Sequence, residues 1–249
     1  MYRSDPRFSV IGDRLRSIDT VLVVASPKGG VGKTTIAALT ALAAADRGLQ
    51  AGLLDLDLTN PCTHIVLGVD PGLELIEEEK GIVPPRIHGV SYMTVAFFTG
   101  GRGLALRGGE ATNVILEILA VTRWPRLRLL VVDTPPGIRD EVLDILNIAS
   151  TIHHDSRVVV VTTASRMALE AARRLLGILR DGGFRVAGLV ENMATDARSG
   201  VDELAEAMGV EVLARVPYDP GLEDALGNPP ALLKTRAGRA LEQLLGKLF

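Results

Sequence analysis

Apolar positions along this chain fall into two alternating patterns. Short unbroken runs rich in Val, Leu, Ile or Ala occur at residues 21–26, 51–57, 90–97, 127–133, 157–162, 184–190 and 210–216. Runs of that length without polar alternation read as strands buried on both faces. The stretches between them have a helical period. Residues 6–19 carry Phe8, Ile11, Leu15 and Ile18 at three- and four-residue spacing, so the chain opens with a short helix. Residues 34–47, 111–123, 139–150, 166–181, 199–208 and 231–248 also read as helices, with a short one near 220–226, and Gly48 closes the first long one. Residues 69–89 are mixed and charged and read as irregular; residues 100–109 form a glycine- and arginine-rich loop.

Strand and helix thus alternate from end to end. That order specifies an α/β fold, a doubly wound and mostly parallel sheet with helices on both faces. No repeat, linker or low-complexity tract interrupts the alternation, so residues 1–249 read as one domain with 1–19 as a leading helical segment.

Composition narrows the function. Apolar residues make up 47% of the 249 positions, enough for a substantial core. No apolar run approaches the roughly 20 residues that a membrane span requires, and residues 1–7 lack the apolar core of a secretory signal. The single cysteine, Cys62, allows neither an internal disulfide nor a cysteine cluster for metal. A cytoplasmic protein is the natural reading. The net charge of −3 gives no electrostatic case for nucleic acid.

The most informative segment follows the first apolar run. Ser26-Pro27-Lys28-Gly29-Gly30-Val31-Gly32-Lys33-Thr34-Thr35 joins a buried strand to an Ala/Leu-rich helix. A glycine-rich turn in that setting converges several backbone N–H groups on one point, which the positive end of the helix dipole also faces. Such a point suits a di- or triphosphate, with Gly29, Gly30, Val31, Gly32 and Thr35 contributing backbone, Lys33 reaching the terminal phosphates and the Thr34 hydroxyl taking one Mg²⁺ position. Two features are irregular. Pro27 stands where the usual spacing has glycine and brings no N–H. Lys28 adds a second lysine to the loop of a chain that has five in all.

Three further sites carry polar groups at predicted strand ends. Asp55 and Asp57 end the second strand, where ligand groups gather in open parallel sheets. Strand alternation sends them to opposite faces, so one can support metal while the other approaches attacking water. Asp133 ends the most apolar strand, a position suited to holding Mg²⁺ through water, and Pro135-Pro136-Gly137 beyond it make a stiff loop able to register a γ-phosphate. Asn192 follows a later strand and has the donor and acceptor to pair with a purine edge, although an Asn there is more often a turn residue. His153 and His154 read as exposed at a helix end, Cys62 as a packed or loop residue, Trp124 as packing, and Glu77-Glu78-Glu79-Lys80 as a solvated face. The apolar stripe of Leu241, Leu244, Leu245 and Leu248 suits docking on the sheet better than membrane binding, though residues 231–248 are the one membrane candidate.

With these residues in view, the chain resembles the MinD/ParA/Mrp branch of P-loop ATPases, whose deviant Walker A loop carries the extra lysine. Within it, the chain is most similar to the Mrp (ApbC) group of ATP-dependent iron–sulfur cluster carriers. Asp55-Leu56-Asp57-Leu58-Thr59-Asn60-Pro61-Cys62 matches that group's Asp-x-Asp-x-x-Gly-Pro-Ser segment, Asp133 to Glu141 matches Asp-x-Pro-Pro-Gly-x-x-Asp-Glu, and Glu191-Asn192-Met193 matches Glu-Asn-Met. The Val216-Pro217-Tyr218-Asp219 segment also fits, and Leu106-Arg107-Gly108-Gly109 fits a Trp-Arg-Gly-Pro segment in part. The resemblance implies a homodimer sandwiching ATP, with Lys28 reaching the partner's nucleotide. It also implies Lys33 and Thr34 on phosphate and Mg²⁺, Asp57 positioning water, Asp133 supporting the metal and Asn192 contacting adenine; Asp55 at its strand end is expected to support the metal as well, and Pro217 to contact the nucleotide. One departure is sharp. The Mrp group carries Cys-x-x-Cys after Glu-Asn-Met, whereas residues 194–200 here contain no cysteine, so no iron–sulfur cluster is expected on this chain alone.

The expected protein is therefore a slow, Mg²⁺-dependent ATP hydrolase that acts with an unidentified client or partner protein in iron–sulfur or metal-cofactor assembly. Two other readings stand beside it. One is a MinD/ParA-like positioning ATPase on membrane or DNA; the other is a nucleotide-gated scaffold that binds a client and barely hydrolyses.

Overall fold

The computed structural model describes residues 5–72, 76–106 and 108–249. Part of the segment read as irregular (73–75), Arg107 of the partial Trp-Arg-Gly-Pro match and residues 1–4 lie outside the described residues.

In chain order the elements are α1 (Arg7–Leu15), β1 (Ile18–Ala25), α2 (Lys33–Asp46), β2 (Ala51–Asp55), α3 (Thr63–Leu67), β3 (Glu77–Glu78), β4 (Ile82–Val83), β5 (Arg86–Ile87), β6 (Val90–Thr94), α4 (Ala96–Thr99) and α5 (Gly109–Val121). They continue with β7 (Leu127–Asp133), α6 (Asp140–Ile152), β8 (Ser156–Thr162), α7 (Arg166–Asp181), β9 (Val186–Ala194), α8 (Gly200–Met208), β10 (Val212–Pro217), α9 (Gly221–Asp224), α10 (Pro229–Lys234) and α11 (Arg236–Leu248).

Eight strands form one sheet in the order β10-β9-β8-β1-β7-β2-β6-β5. Every pairing in it is parallel except β5 with β6. β3 and β4 make a separate antiparallel pair. The alternation of strands and helices thus yields the doubly wound sheet it predicts. β1 lies at the centre, between β7 and β8, and the strand order runs outward from it in both directions. The carboxyl edge at such a switch point is where an open α/β sheet binds its ligand.

One core, built on α1, α5, α6, α7 and α8, covers one face of the sheet, and a second, built on α2, α3, α10 and α11, covers the other. α2 is buried on all sides from Ile36 to Ala44. Its alanines keep it thin enough to lie between the sheet and α11, which it packs against. The C-terminal stripe does pack: Leu241, Leu244 and Leu245 are at most 1% exposed. Among the described residues, no helix is long and apolar enough to cross a membrane.

Several elements depart from the sequence pattern. The second strand stops at Asp55 because the Asp55 carboxylate takes the Asp57 N–H that would continue the ladder. The opposite-face argument for Asp55 and Asp57 therefore does not apply, since Asp57 lies past the end of the strand. The run at 90–97 ends as a strand at Thr94, whose hydroxyl accepts the Ala96 N–H and starts α4. Residues 76–89 contain β3, β4 and β5, each too short to show a period. The helix read at 231–248 is two helices, split at Thr235, whose extended backbone and side chain cap α11 through the Gly238 N–H. His153 is not exposed. It is 6% accessible, its Nε2 bonded to the Ile18 carbonyl and its Nδ1 accepting the Asp155 N–H.

Candidate phosphate site at the carboxyl edge

The segment between β1 and α2 wraps a point at the carboxyl end of the central strand. Gly30 and Gly32 have φ of 79° and 83°, left-handed values that glycine adopts without strain. Gly32 is the N-cap of α2, and no side chain caps the helix, so its first N–H groups are left for a ligand. Val31 is buried, anchoring the loop from below, and Gly29 and Gly30 are exposed. Thr34 and Thr35 are half-buried in the first turn.

Lys33 points inward. It is 5% exposed and its ammonium forms a short ion pair with Asp133 Oδ1 at the end of β7. Its Nζ is 3.4 Å from the Thr34 hydroxyl. Asp133 is wholly buried and its Oδ2 has no hydrogen-bond partner. Burial pushes the Asp133 carboxyl upward against the pull of Lys33. Asp55 sits directly opposite Asp133 in the β2–β7 register. Burial first, and the Asp133 charge second, push its pKa up to about 7. Both Asp55 oxygens are engaged: Oδ1 by the Asp57 N–H at 3.0 Å, Oδ2 by the Thr63 hydroxyl at 2.6 Å and the Thr63 N–H at 3.3 Å. Thr63 in turn bonds the buried Tyr92 hydroxyl at 2.7 Å. Asp57 is 6% exposed, and its Oδ1 accepts the Asn60 N–H at 3.1 Å.

A cation fits this donor set. The orphaned Asp133 oxygen and the Thr34 hydroxyl are hard oxygen donors beside the phosphate loop, the kind Mg²⁺ takes together with substrate phosphates. An iron–sulfur cluster does not fit within one chain. The sequence supplies one thiol, half-buried and with its pKa raised by burial, and no group of three potential metal-ligating side chains occurs among the described residues.

The loop after β7 leans on the phosphate loop. The Thr134 hydroxyl donates to the Val24 carbonyl at 2.9 Å and the Gly137 N–H donates to the Ser26 carbonyl at 3.0 Å. Pro135 is buried and Pro136 half-buried beside Gly29. Asn192 lies near the end of β9 and not beyond it. It is 5% exposed and its Nδ2 donates to the Val31 carbonyl at 2.9 Å, tying β9 to the phosphate loop. Pro217 ends β10 opposite Ala194, at the same edge. Lys28 is half-buried and turned to the other side, where it lines a groove of about 930 Å³ with α7 and α8.

The sequence reading missed one group here. Glu191, next to Asn192, is fully buried; its Oε2 accepts the Arg215 Nε at 3.0 Å and its Oε1 has no partner. The same guanidinium bonds the Ala197 carbonyl and the Asp202 carboxylate in the capping box of α8. Arg215 thus clamps the strand that holds Asn192 to the loop and helix that follow it. An acid at the end of an apolar strand signals a buried partner, but β10 shows which arginine only once it is paired with β9.

Comparison with known proteins places this geometry. The chain is 34% identical over 243 residues to an iron–sulfur cluster carrier protein of Pseudomonas fragi, spanning 91% of this chain and 83% of that one. It is 34% identical over 225 residues to the human cytosolic Fe-S cluster assembly factor NUBP2, spanning 84% and 82%. Among solved structures it is similar to a nucleotide-binding protein in complex with ADP from Archaeoglobus fulgidus, with a TM-score of 0.74, 26% identity and coverage of 91% and 93%. The fold is shared with the cell-division ATPase MinD of Pyrococcus furiosus, at a TM-score of 0.67, 20% identity and coverage of 92% and 98%. A ParA family model, described as the NUBPL iron-transfer P-loop NTPase, matches residues 17–248. On that match, which spans the whole sheet and its phosphate loop, the chain belongs to the ParA/NUBPL-type family of P-loop NTPases.

Proposed function

We propose that this chain is a Mg²⁺-dependent ATPase that works as a homodimer in iron–sulfur cluster assembly. The observation that carries the ATPase reading is the buried Lys33–Asp133 pair beneath an uncapped helix N-terminus, with one Asp133 oxygen left without a partner. The amides of Gly29 to Thr35 would cradle the β- and γ-phosphates, and Lys33 would leave Asp133 for the terminal phosphate. Thr34 and Asp133, the latter partly through water, would then hold Mg²⁺, which neutralises phosphate charge when bound. Asp55, with both oxygens engaged, would bear on the metal through its charge and by fixing the Asp57 backbone. Asp57 would orient the attacking water. Pro135, Pro136 and Gly137, bonded to the phosphate loop, would move with γ-phosphate occupancy. Asn192 and Pro217 would border the adenine, and Lys28 would reach the nucleotide of the second copy.

The names of the relatives support a place in iron–sulfur assembly and a cytosolic setting. With one thiol per chain, the cluster would be cargo met through a client protein. Anaerobic reconstitution is expected to give no stoichiometric chromophore on this chain alone, and a stable one would make Cys62 a ligand. Calorimetry and phosphate release test the ATPase reading. Lys33→Ala should abolish most nucleotide affinity, and Asp57→Ala should keep Mg·ATP binding while slowing hydrolysis. An Asp57→Ala protein that turns over ATP at the original rate would remove Asp57 from the water-positioning role.

A further inference from the structure

The carboxyl edge of the sheet carries two shapes that flank the phosphate loop on opposite sides. On the β8 side lies the groove between α7 and α8, lined by Lys28, Arg166, Arg173 and Arg174 against Glu170 and Glu203. This excess of positive charge belongs to a chain whose net charge is −3. Glu170 is paired with Arg174, whereas Lys28, Arg166 and Arg173 have no ion-pair partner among the described residues. Met167 stands at the groove with 79% of its surface exposed. On the β7 side the loop past Gly137 projects Ile138, 36% exposed, followed by Asp140 and Glu141 in the first turn of α6. Neither carboxylate has an ion-pair partner among the described residues. Arg and Met are side chains that interfaces favour, and free charges of opposite sign on two surfaces set register between them.

β1 is flanked by β7 on one side and β8 on the other. A two-fold axis near the end of β1 and along the sheet normal brings the β7 side of one copy against the β8 side of the other. Such an interface is isologous, the same two patches meeting twice. Resting on the homodimer reading above, we infer that the Ile138–Glu141 protrusion of one copy seats in the Lys28/Arg166/Arg173 groove of a second copy of this chain. Met167 and Ile138 would meet at the apolar centre, and the unpaired arginines would face Asp140 and Glu141. The protrusion continues the loop that bonds the phosphate loop through Gly137, so nucleotide occupancy would set whether the seat forms.

Sedimentation velocity with a non-hydrolysable ATP analogue and Mg²⁺ tests this directly. The groove variant Arg166→Glu/Arg173→Glu and the protrusion variant Asp140→Arg/Glu141→Arg should each weaken the dimer by about 100-fold, because like charges meet across the contact. Combining all four changes should restore it to within about tenfold. As a second measurement, Ile138→Cys/Met167→Cys in a Cys62→Ser background should cross-link between chains with a short bismaleimide only when nucleotide is bound. Dimers that persist in both reversal variants, with no cross-link, would overturn the seat and leave the homodimer standing. A wild-type chain that binds the analogue by calorimetry yet stays monomeric would overturn both.

Discussion

The contact between Asn192 and the phosphate loop can be tested by crowding it. A Cβ added at Gly32 would stand 2.2 Å from Asn192 Nδ2 and 3.4 Å from its Cγ, at a φ of 83°. Gly32→Ala therefore has two effects. The left-handed backbone costs about 1–2 kcal/mol for an L side chain. The clash also expels the Asn192 carboxamide, stranding the buried Val31 carbonyl, which costs about 1–3 kcal/mol. Asn192→Ala alone strands the same carbonyl and carries the second cost only. In the double variant the clashing atoms are gone, and the carbonyl is lost once and not twice. The two changes should thus be sub-additive by about 1–3 kcal/mol, well above the roughly 0.5 kcal/mol within which independent sites add. Urea unfolding of the four nucleotide-free proteins measures the cycle, and calorimetry with Mg·ATP checks the same coupling in affinity. Additive losses would mean that Asn192 does not rest on Val31 in solution.

Other outcomes follow from individual contacts. The raised Asp55 carboxyl, held at about 7 by burial and by the Asp133 charge, binds a proton more tightly folded than unfolded. Its contribution to stability is therefore full below the ordinary carboxylate range and is lost as pH rises toward 7, flattening above it; urea midpoints of the nucleotide-free protein should show this slope and Asp55→Asn should reduce it, the raised Asp133 carboxyl keeping the remainder. Arg215→Ala leaves Glu191 buried without its counter-charge and should cost about 3–5 kcal/mol in urea unfolding, with Glu191→Gln/Arg215→Ala recovering part of the loss. Leu244→Ala, at 1% exposure between α11 and the sheet, should cost about 2–5 kcal/mol; a loss under 0.5 kcal/mol would mean that the stripe is not docked.

What the sequence makes legible here is what the backbone itself encodes. The phosphate loop could be read from its glycines because a left-handed φ at Gly30 and Gly32 is a local requirement, and α2 could be read from its composition. Strand ends rich in Asp gave the carboxyl edge, because an ionised group cannot sit deeper among Val and Leu without a partner. The harder features depend on pairing between distant segments. Nothing in the alternation says that β7, 100 residues after the loop, slots beside β1 so that Asp133 meets Lys33. Likewise, the ladder position that sets Arg215 against Glu191 contains a register shift that no period announces. His153 misled for the same reason: two polar rings at a helix end suggest solvent, yet the Ile18 carbonyl and the Asp155 N–H satisfy both nitrogens of the first.

The same distinction bears on how the site can respond to nucleotide. The locally encoded parts are the glycine loop and the first turn of α2, set by the left-handed φ at Gly30 and Gly32. The parts that depend on pairing are held by three contacts at the loop: Lys33 lies on Asp133, Gly137 on Ser26 and Asn192 on Val31. They join the loop to two strands: Asp133 of β7 and the loop after it for the first two, and β9 for the third. A ligand that draws Lys33 toward itself frees Asp133 and so acts on β7 and the loop that runs into α6. A base placed beside Asn192, as proposed above, would act on β9, and through Glu191 and Arg215 on the cap of α8. α6 packs on β1 and β8 whereas α8 packs on β9 and β10, so phosphate and base would each bias a different helix. A nucleoside that lacks phosphates should therefore leave the β7 side unchanged, and inorganic triphosphate should leave the β9 side unchanged. Hydrogen exchange at 134–141 and at 195–202 separates the two, and equal protection of both segments by either ligand would show that the flanks are not addressed independently.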